Sequence, residues 1–144
     1  MITPLLITYF TGAARRFPVE SAFLYGSLAR GQERKNSDVD IAVLFSDDAG
    51  SDSDLFEMIS QMTIELEHLL HREVNIIRLS WQFEKPLLYY NATILGIPVF
   101  VRNRSRHSRY LQEALYQMED FRLFGIRWQL SAAQNNLREL TGHA

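Results

Sequence analysis

Apolar residues along the chain alternate between a helical and a strand period, and each change of period marks an element. Leu5, Leu6, Tyr9, Phe10 and Ala13 recur at helical spacing behind Thr3-Pro4, read as an N-cap followed by proline at the first helical position, and Phe17-Pro18 ends that helix. Arg15 and Arg16 complement the dipole at its C-terminal end and are expected in solvent. Val19 to Tyr25 reads as a first strand. Asp38 to Phe45 reads as a second, apolar on both faces after Asp40 and therefore central in a sheet. Between them, Glu33 to Asn36 carries both signs of charge and reads as a solvated loop. The polar stretch Asp47 to Asp54 leads into a helix striped by Leu55, Ile59, Met62, Leu66 and Leu69 and ending near His71. Glu73 to Leu79 is a third strand. Pro86 opens a helix through Leu87, Leu88 and Ile94 to Gly96, which is placed for a C-cap. Ile97 to Val101 is a fourth strand, and Pro98 makes it an edge. From Ser105 to Thr141 the pattern is helical again, but its apolar positions leave any single face and Gly125 weakens the middle, which predicts two helices or a bend. That segment either wraps the sheet or offers a surface to a partner.

Composition narrows the class. A chain of 144 residues suits one domain, divided as a core over residues 1–102 and a C-terminal helical extension over 103–144 that belongs to the same domain. With 47% hydrophobic and 22% charged residues it is far from the disordered regime. A net charge of −2 argues against stable nucleic-acid binding, which needs a basic surface to neutralise phosphates. The absence of cysteine excludes a disulfide framework. No basic leader precedes the first apolar residues, and charges interrupt every apolar run before membrane-spanning length. These features predict a soluble cytoplasmic protein with no membrane partner.

The candidate chemistry lies in Tyr25-Gly26-Ser27-Leu28-Ala29-Arg30-Gly31 and in Ser37-Asp38-Val39-Asp40. Residues i and i+2 of a strand share a face, so Asp38 and Asp40 project together roughly 7 Å apart at the backbone. Two carboxylates at the mouth of an apolar strand repel unless a cation lies between them. Hard oxygen ligands of this kind suit Mg²⁺, whose shell is completed by water and substrate phosphates. Gly26 lets the backbone approach a ligand closely, and Ser27 begins what reads as a strand-to-helix turn whose free N–H groups favour an anion. Arg30 follows about one helical turn later and can fork onto a phosphate. These parts fit a nucleoside triphosphate bound through Mg²⁺. By contrast, Asp47, Asp48, Asp52 and Asp54 lack EF-hand spacing and read as helix-capping residues. His68 and His71 lack a third ligand nearby and read as surface or capping residues.

The run Gly26-Ser27, ten intervening residues, then Asp38-x-Asp40, with Arg30-Gly31 inside it and Ser37 before the first aspartate, resembles the signature of the polymerase-β nucleotidyltransferase superfamily. The short chain is similar to the minimal nucleotidyltransferases, the MntA-type antitoxins encoded beside HEPN-domain toxins. The resemblance implies a polymerase-β-like α/β (α+β) fold with a small mixed sheet, packing helices and a C-terminal helical extension. It also implies residue roles: Gly26, Ser27, Arg30 and Ser37 would bind the nucleotide, and Asp38 and Asp40 would be the catalytic, cation-holding carboxylates. In the superfamily a third carboxylate often stands on the next strand, where this chain has Asn75, a neutral ligand that cannot act as a base. Glu73, two residues away, is a poor substitute.

The implied activity is transfer of AMP from ATP to a tyrosine of a cognate HEPN ribonuclease toxin, with Mg²⁺ as cofactor and the toxin as hetero-oligomeric partner. The alternatives are a catalytically weak antitoxin acting by binding alone, and a small-molecule (antibiotic) nucleotidyltransferase. The spacing of Arg102 and His107 resembles a HEPN ribonuclease motif, but that motif needs a helical domain for which too little chain remains, so it is taken as chance. Arg102, Arg104, Arg106 and Arg109 are expected to meet phosphate or an acidic partner surface.

Overall fold

The four strands form one mixed sheet in the order β3-β2-β1-β4, with β1 over Val19–Tyr25, β2 over Val39–Phe45, β3 over Val74–Leu79 and β4 over Ile97–Val101. The computed structural model describes residues 2–32 and 37–142; the expected loop at Glu33 to Asn36 lies outside them. β1 runs antiparallel to both β2 and β4, while β2 and β3 are parallel and joined by a crossover helix. β4 is an edge, as Pro98 requires, and β2 is central.

Alternation along β1 and β2 sends side chains to two separate cores. Ala22, Leu24, Val39, Ile41 and Val43 pack under α1 (Ile2–Ala13) and α2 (Asp52–Leu70). Phe23, Ala42 and Leu44 pack on the other face with Tyr89 and Ala92 of α3 (Pro86–Thr93) and with Tyr110 and Ala114 of α4 (Arg104–Gly142). The sheet is therefore covered on both faces, and even-numbered positions of β2 face α3 and α4. These are the helices and mixed sheet of the expected fold.

Several local expectations change. α1 begins at Ile2, so Thr3-Pro4 lies inside its first turn. Arg16 is exposed, as expected, but not unpartnered: its guanidinium forks onto Glu65 of α2 at 2.7 and 3.0 Å, and the Tyr9 hydroxyl donates to the same carboxylate at 2.7 Å. The Arg16 bonds hold the Glu65 carboxyl below the usual range. α2 starts in a capping box, with Ser51 as the N-cap and Asp54 returning the bond, and ends at His71 in the left-handed conformation. Asp52 pairs with Arg78 at 2.8 Å and Asp47 with Arg106 at 3.1 Å. Gly96 is not the C-cap of α3; that place is taken by Ile94 in a right-handed conformation. A Cβ at Gly96 would collide with the Ala92 carbonyl oxygen and lie 3.1 Å from that of Leu24, so glycine there lets β4 start flush against α3 and β1.

The largest difference is at the C-terminus. α4 is one unbroken helix of 39 residues, without the break expected at Gly125. A single interior glycine costs only about 1 kcal/mol relative to alanine, less than good helix formers on both sides supply. Its base is fastened to β1. Arg102 donates to the carbonyls of Val19 (2.8 Å) and Ala14 (2.7 Å), and the Asn103 side chain caps the backbone N–H of Arg106. His107 stacks on Phe23 and shares a hydrogen bond with buried Ser21 at 3.1 Å. The Arg102 and His107 pair is thus used inside the fold, and Arg106 pairs with Glu20 and Asp47. Among the described residues, no helix is long and apolar enough to cross a membrane.

Candidate functional site

Strand register assembles the site. Tyr25 of β1 lies opposite Asp40 of β2, and Asp40 lies opposite Asn75 of β3, so the three form one row across the sheet on the face that carries α3. Asp38 precedes β2 by one residue and is exposed, whereas Asp40 is half-buried. The expected second strand therefore begins one residue later, and Asp38 projects from the loop rather than from the ladder. The Asp40 carboxyl titrates above the usual range. Burial is the chief cause and the Asp38 charge adds to it, while a hydrogen bond with the Asn75 side chain works the other way. Tyr25 is raised too, by burial and then by the Asp40 charge.

Gly26 follows directly at the end of β1 with φ at +78°, and a Cβ there would stand 2.5 Å from the Asp40 carboxylate oxygen. Any side chain would fill the space beside the carboxylate and strain the backbone as well. After Gly26 the chain does not enter the expected helix. It makes one tight turn, closed by bonds from Arg30 N–H to the Gly26 carbonyl (3.2 Å) and from Gln32 N–H to the Ser27 carbonyl (2.9 Å). Ser27 is half-buried in that turn and Arg30 is exposed at its end. Ser37 is half-buried immediately before Asp38.

Beside this turn a cleft of about 250 Å³ is lined by Tyr25, Gly26 and Arg30 on one side and by Leu88, Asn91 and Leu95 on the other. The second wall was not foreseen, although Leu88, Asn91 and Leu95 stand at the i, i+3, i+7 spacing of one helix face. A larger cleft, about 400 Å³, lies at the far ends of β2 and β3. Its polar walls are occupied with one another: Arg78 pairs with Asp52, and Glu84 accepts from Ser80 and Tyr89.

The donor chemistry at Asp40 suits a hard divalent cation. The Asp38 charge adds to the cost of ionising Asp40, and a neutral amide offers a further oxygen. Glu73 does not complete a triad: among the described residues no three His, Cys, Asp or Glu side chains gather as a metal site. Water and substrate phosphates would have to complete such a cation's shell.

Comparison with known proteins agrees with this fold. A chain of a toxin–antitoxin crystal structure with AMP-PNP superposes with a TM-score of 0.62 at 17% identity, covering 89% of this chain and 96% of that one. A chain of the toxin–antitoxin MntA-HepT gives a TM-score of 0.58 at 16% identity, covering 91% and 97%. A third is from the tri-AMPylated Shewanella oneidensis HEPN toxin in complex with MNT antitoxin, with a TM-score of 0.57 at 16% identity, covering 92% and 97%. At such identities the likeness speaks for the fold alone. No curated protein matches the chain in sequence. The model of the polymerase beta nucleotidyltransferase family matches residues 11–105, which take in β1, the Gly26-Ser27 turn, both aspartates, Asn75 and the cleft wall on α3, and the chain belongs to that family.

Proposed function

We propose that the protein is an antitoxin nucleotidyltransferase that transfers AMP from ATP to a tyrosine hydroxyl of a cognate HEPN ribonuclease toxin. The tyrosine oxygen would bond to the α-phosphorus as the bond to the β-phosphate oxygen breaks, releasing pyrophosphate. The observation that carries the reading is the meeting of Gly26, Asp40 and Asn75 at one end of the sheet in a chain of this family. Its fold is shared with toxin–antitoxin chains, one crystallised with AMP-PNP and another in complex with a tri-AMPylated toxin. In this reading Gly26, Ser27, Arg30 and Ser37 hold the triphosphate, and Asp38 and Asp40 hold Mg²⁺. When bound, the cation neutralises phosphate charge and lowers the pKa of the attacking hydroxyl. Tyr25, Leu88, Asn91 and Leu95 supply the wall beside the nucleotide. The reaction takes place in the cytoplasm, where ATP is at hand.

Asn75 has no basic atom, so the hydroxyl proton passes to a carboxylate of the pair or to a group that the toxin brings. This neutral residue in the third position also favours a second reading, an antitoxin that neutralises its toxin chiefly by binding. The two separate on intact-mass spectrometry of the HEPN protein encoded beside this chain, after incubation with the chain, ATP and Mg²⁺. Added AMP supports transfer, and an unchanged mass in a stable complex supports binding alone.

Asn75→Asp gives a second measure. The change removes the amide donor to Asp40 and adds a ligand oxygen with charge. The transfer rate at limiting Mg²⁺ should be kept or raised. A large loss would show that the amide itself is required.

A further inference from the structure

Beyond Ala114, α4 leaves the core, and its distal part is apolar on two opposite sides. Leu123, Ile126, Leu130, Ala133, Leu137 and Leu140 follow one another at alternating spacings of three and four. That is the a/d seam of a heptad repeat, with a period of about 3.5 residues. Tyr116 continues it one heptad towards the N-terminus, with Glu119 as the one charged seam position between. The five large aliphatic residues of the seam are between 46% and 79% exposed. On the reverse side Phe121, Phe124 and Trp128 stand at i, i+3, i+7 and are more than half exposed. A helix apolar on both sides belongs inside a packed structure, and a seam of this period selects another helix as its neighbour.

Charge chooses between occupants. Arg122 and Arg127 occupy the g and e positions flanking the middle of the seam, and Gln129, Gln134 and Asn136 occupy the next three. In a parallel pair of identical helices, Arg122 of one would face Arg127 of the other, a repulsive contact. In an antiparallel pair with Leu123 against Leu140, Arg127 would face Gln134 and find no acid; shifted to set Leu123 against Ile126 it would face Asp120, but Glu119 would then enter the seam and Leu137 and Leu140 would lie against Gln112 and Arg109. Either self-pairing would also leave Phe121, Phe124 and Trp128 in water. Resting on the function proposed above, we propose that residues 116–140 dock by this seam onto a helix of the HEPN partner whose own apolar stripe is flanked by acidic residues. The docking element shares no residue with the nucleotide cleft and continues the helix whose base is fastened to Ser21 and Val19 of β1.

The test uses the full chain and the HEPN-domain protein encoded beside it, purified together and apart. L123E/L130E and R122E/R127E are compared with wild type for affinity towards the HEPN protein, for ATP binding by the chain alone, and for helix content. Both variants change exposed side chains that do not line the cleft, so helix content and ATP binding should match wild type. Affinity should fall by at least about tenfold in each, and the loss in R122E/R127E should deepen as salt is lowered. If both variants bind as wild type does while wild type still transfers AMP, the docking assignment is overturned and the proposed function stands. If L123E/L130E dissociates a dimer of the chain without changing HEPN affinity, the seam belongs to a second copy and the assignment is likewise overturned. A wild-type chain that forms no complex with the HEPN protein overturns both.

Discussion

Replacing Asp38 and Asp40 together by asparagine is expected to abolish AMP transfer and leave the fold intact. Charge stabilisation by a properly held divalent cation is worth several kcal/mol in the transition state, which corresponds to a rate loss of at least about a thousandfold. The fold survives for a reason visible at Asp40. Burial and the Asp38 charge raise its carboxyl pKa in the folded chain above the unfolded value. A group of that kind favours folding below its unfolded pKa and loses that contribution as pH rises through its folded pKa, so at neutral pH the ionised pair is a cost. Removing both charges lifts the cost, and the double variant should melt no lower than wild type in EDTA at neutral pH. Transfer of labelled AMP from ATP and Mg²⁺ to the HEPN protein is the measurement. Labelling that persists in the double variant would mean that these carboxylates do not hold the cation.

The second large effect is expected from one methyl group. Gly26→Ala places a Cβ 2.5 Å from the Asp40 oxygen and asks a residue with a side chain to sit at a φ of +78°. Relief comes only by moving the carboxylate or the turn that carries Ser27 and Arg30, and displacement of about 1 Å in a phosphoryl-transfer site costs on the order of a hundredfold. Transfer should fall by at least that factor, with a modest loss of stability of about 1 kcal/mol from the left-handed backbone. Isothermal titration with a non-hydrolysable ATP analogue separates the causes, because a displaced turn weakens nucleotide binding as well as rate. An alanine variant with wild-type transfer would show that the close approach to Asp40 has no part in the chemistry.

The turn, the two aspartates and the order of helices and strands were legible because they rest on local rules. An i, i+2 pair at the start of an apolar strand marks Asp38 and Asp40, although Asp38 proves to stand one residue before the strand, and glycine at a strand end marks a turn. The position of Asn75 beside Asp40 rests on register between parallel strands separated by α2, which spacing alone does not fix; the resemblance supplied it. Long-range pairing stayed hidden. Nothing around Arg16 announces Glu65, and nothing around Arg106 announces Glu20 and Asp47, so both arginines read as solvent or ligand groups. The wall of Leu88, Asn91 and Leu95 had a helical signature but no indication of what it faced. Gly125 was weighted as a break when its cost was smaller than the cooperative gain of continuing the helix.

Because α4 continues without interruption from its fastening on β1 to Gly142, it acts as a ruler of roughly 58 Å, each residue adding about 1.5 Å of length and about 100° of rotation. Reach and phase are therefore coupled in its sequence. One residue inserted between Ala114 and Leu123 would turn the seam by more than a quarter of a circle while barely lengthening the arm. Seven would restore nearly the same facing direction about 10 Å farther out. The phase of the seam is thus kept only by insertions or deletions close to a whole number of turns, such as seven or eleven residues, and others would present the partner with the wrong side of the helix.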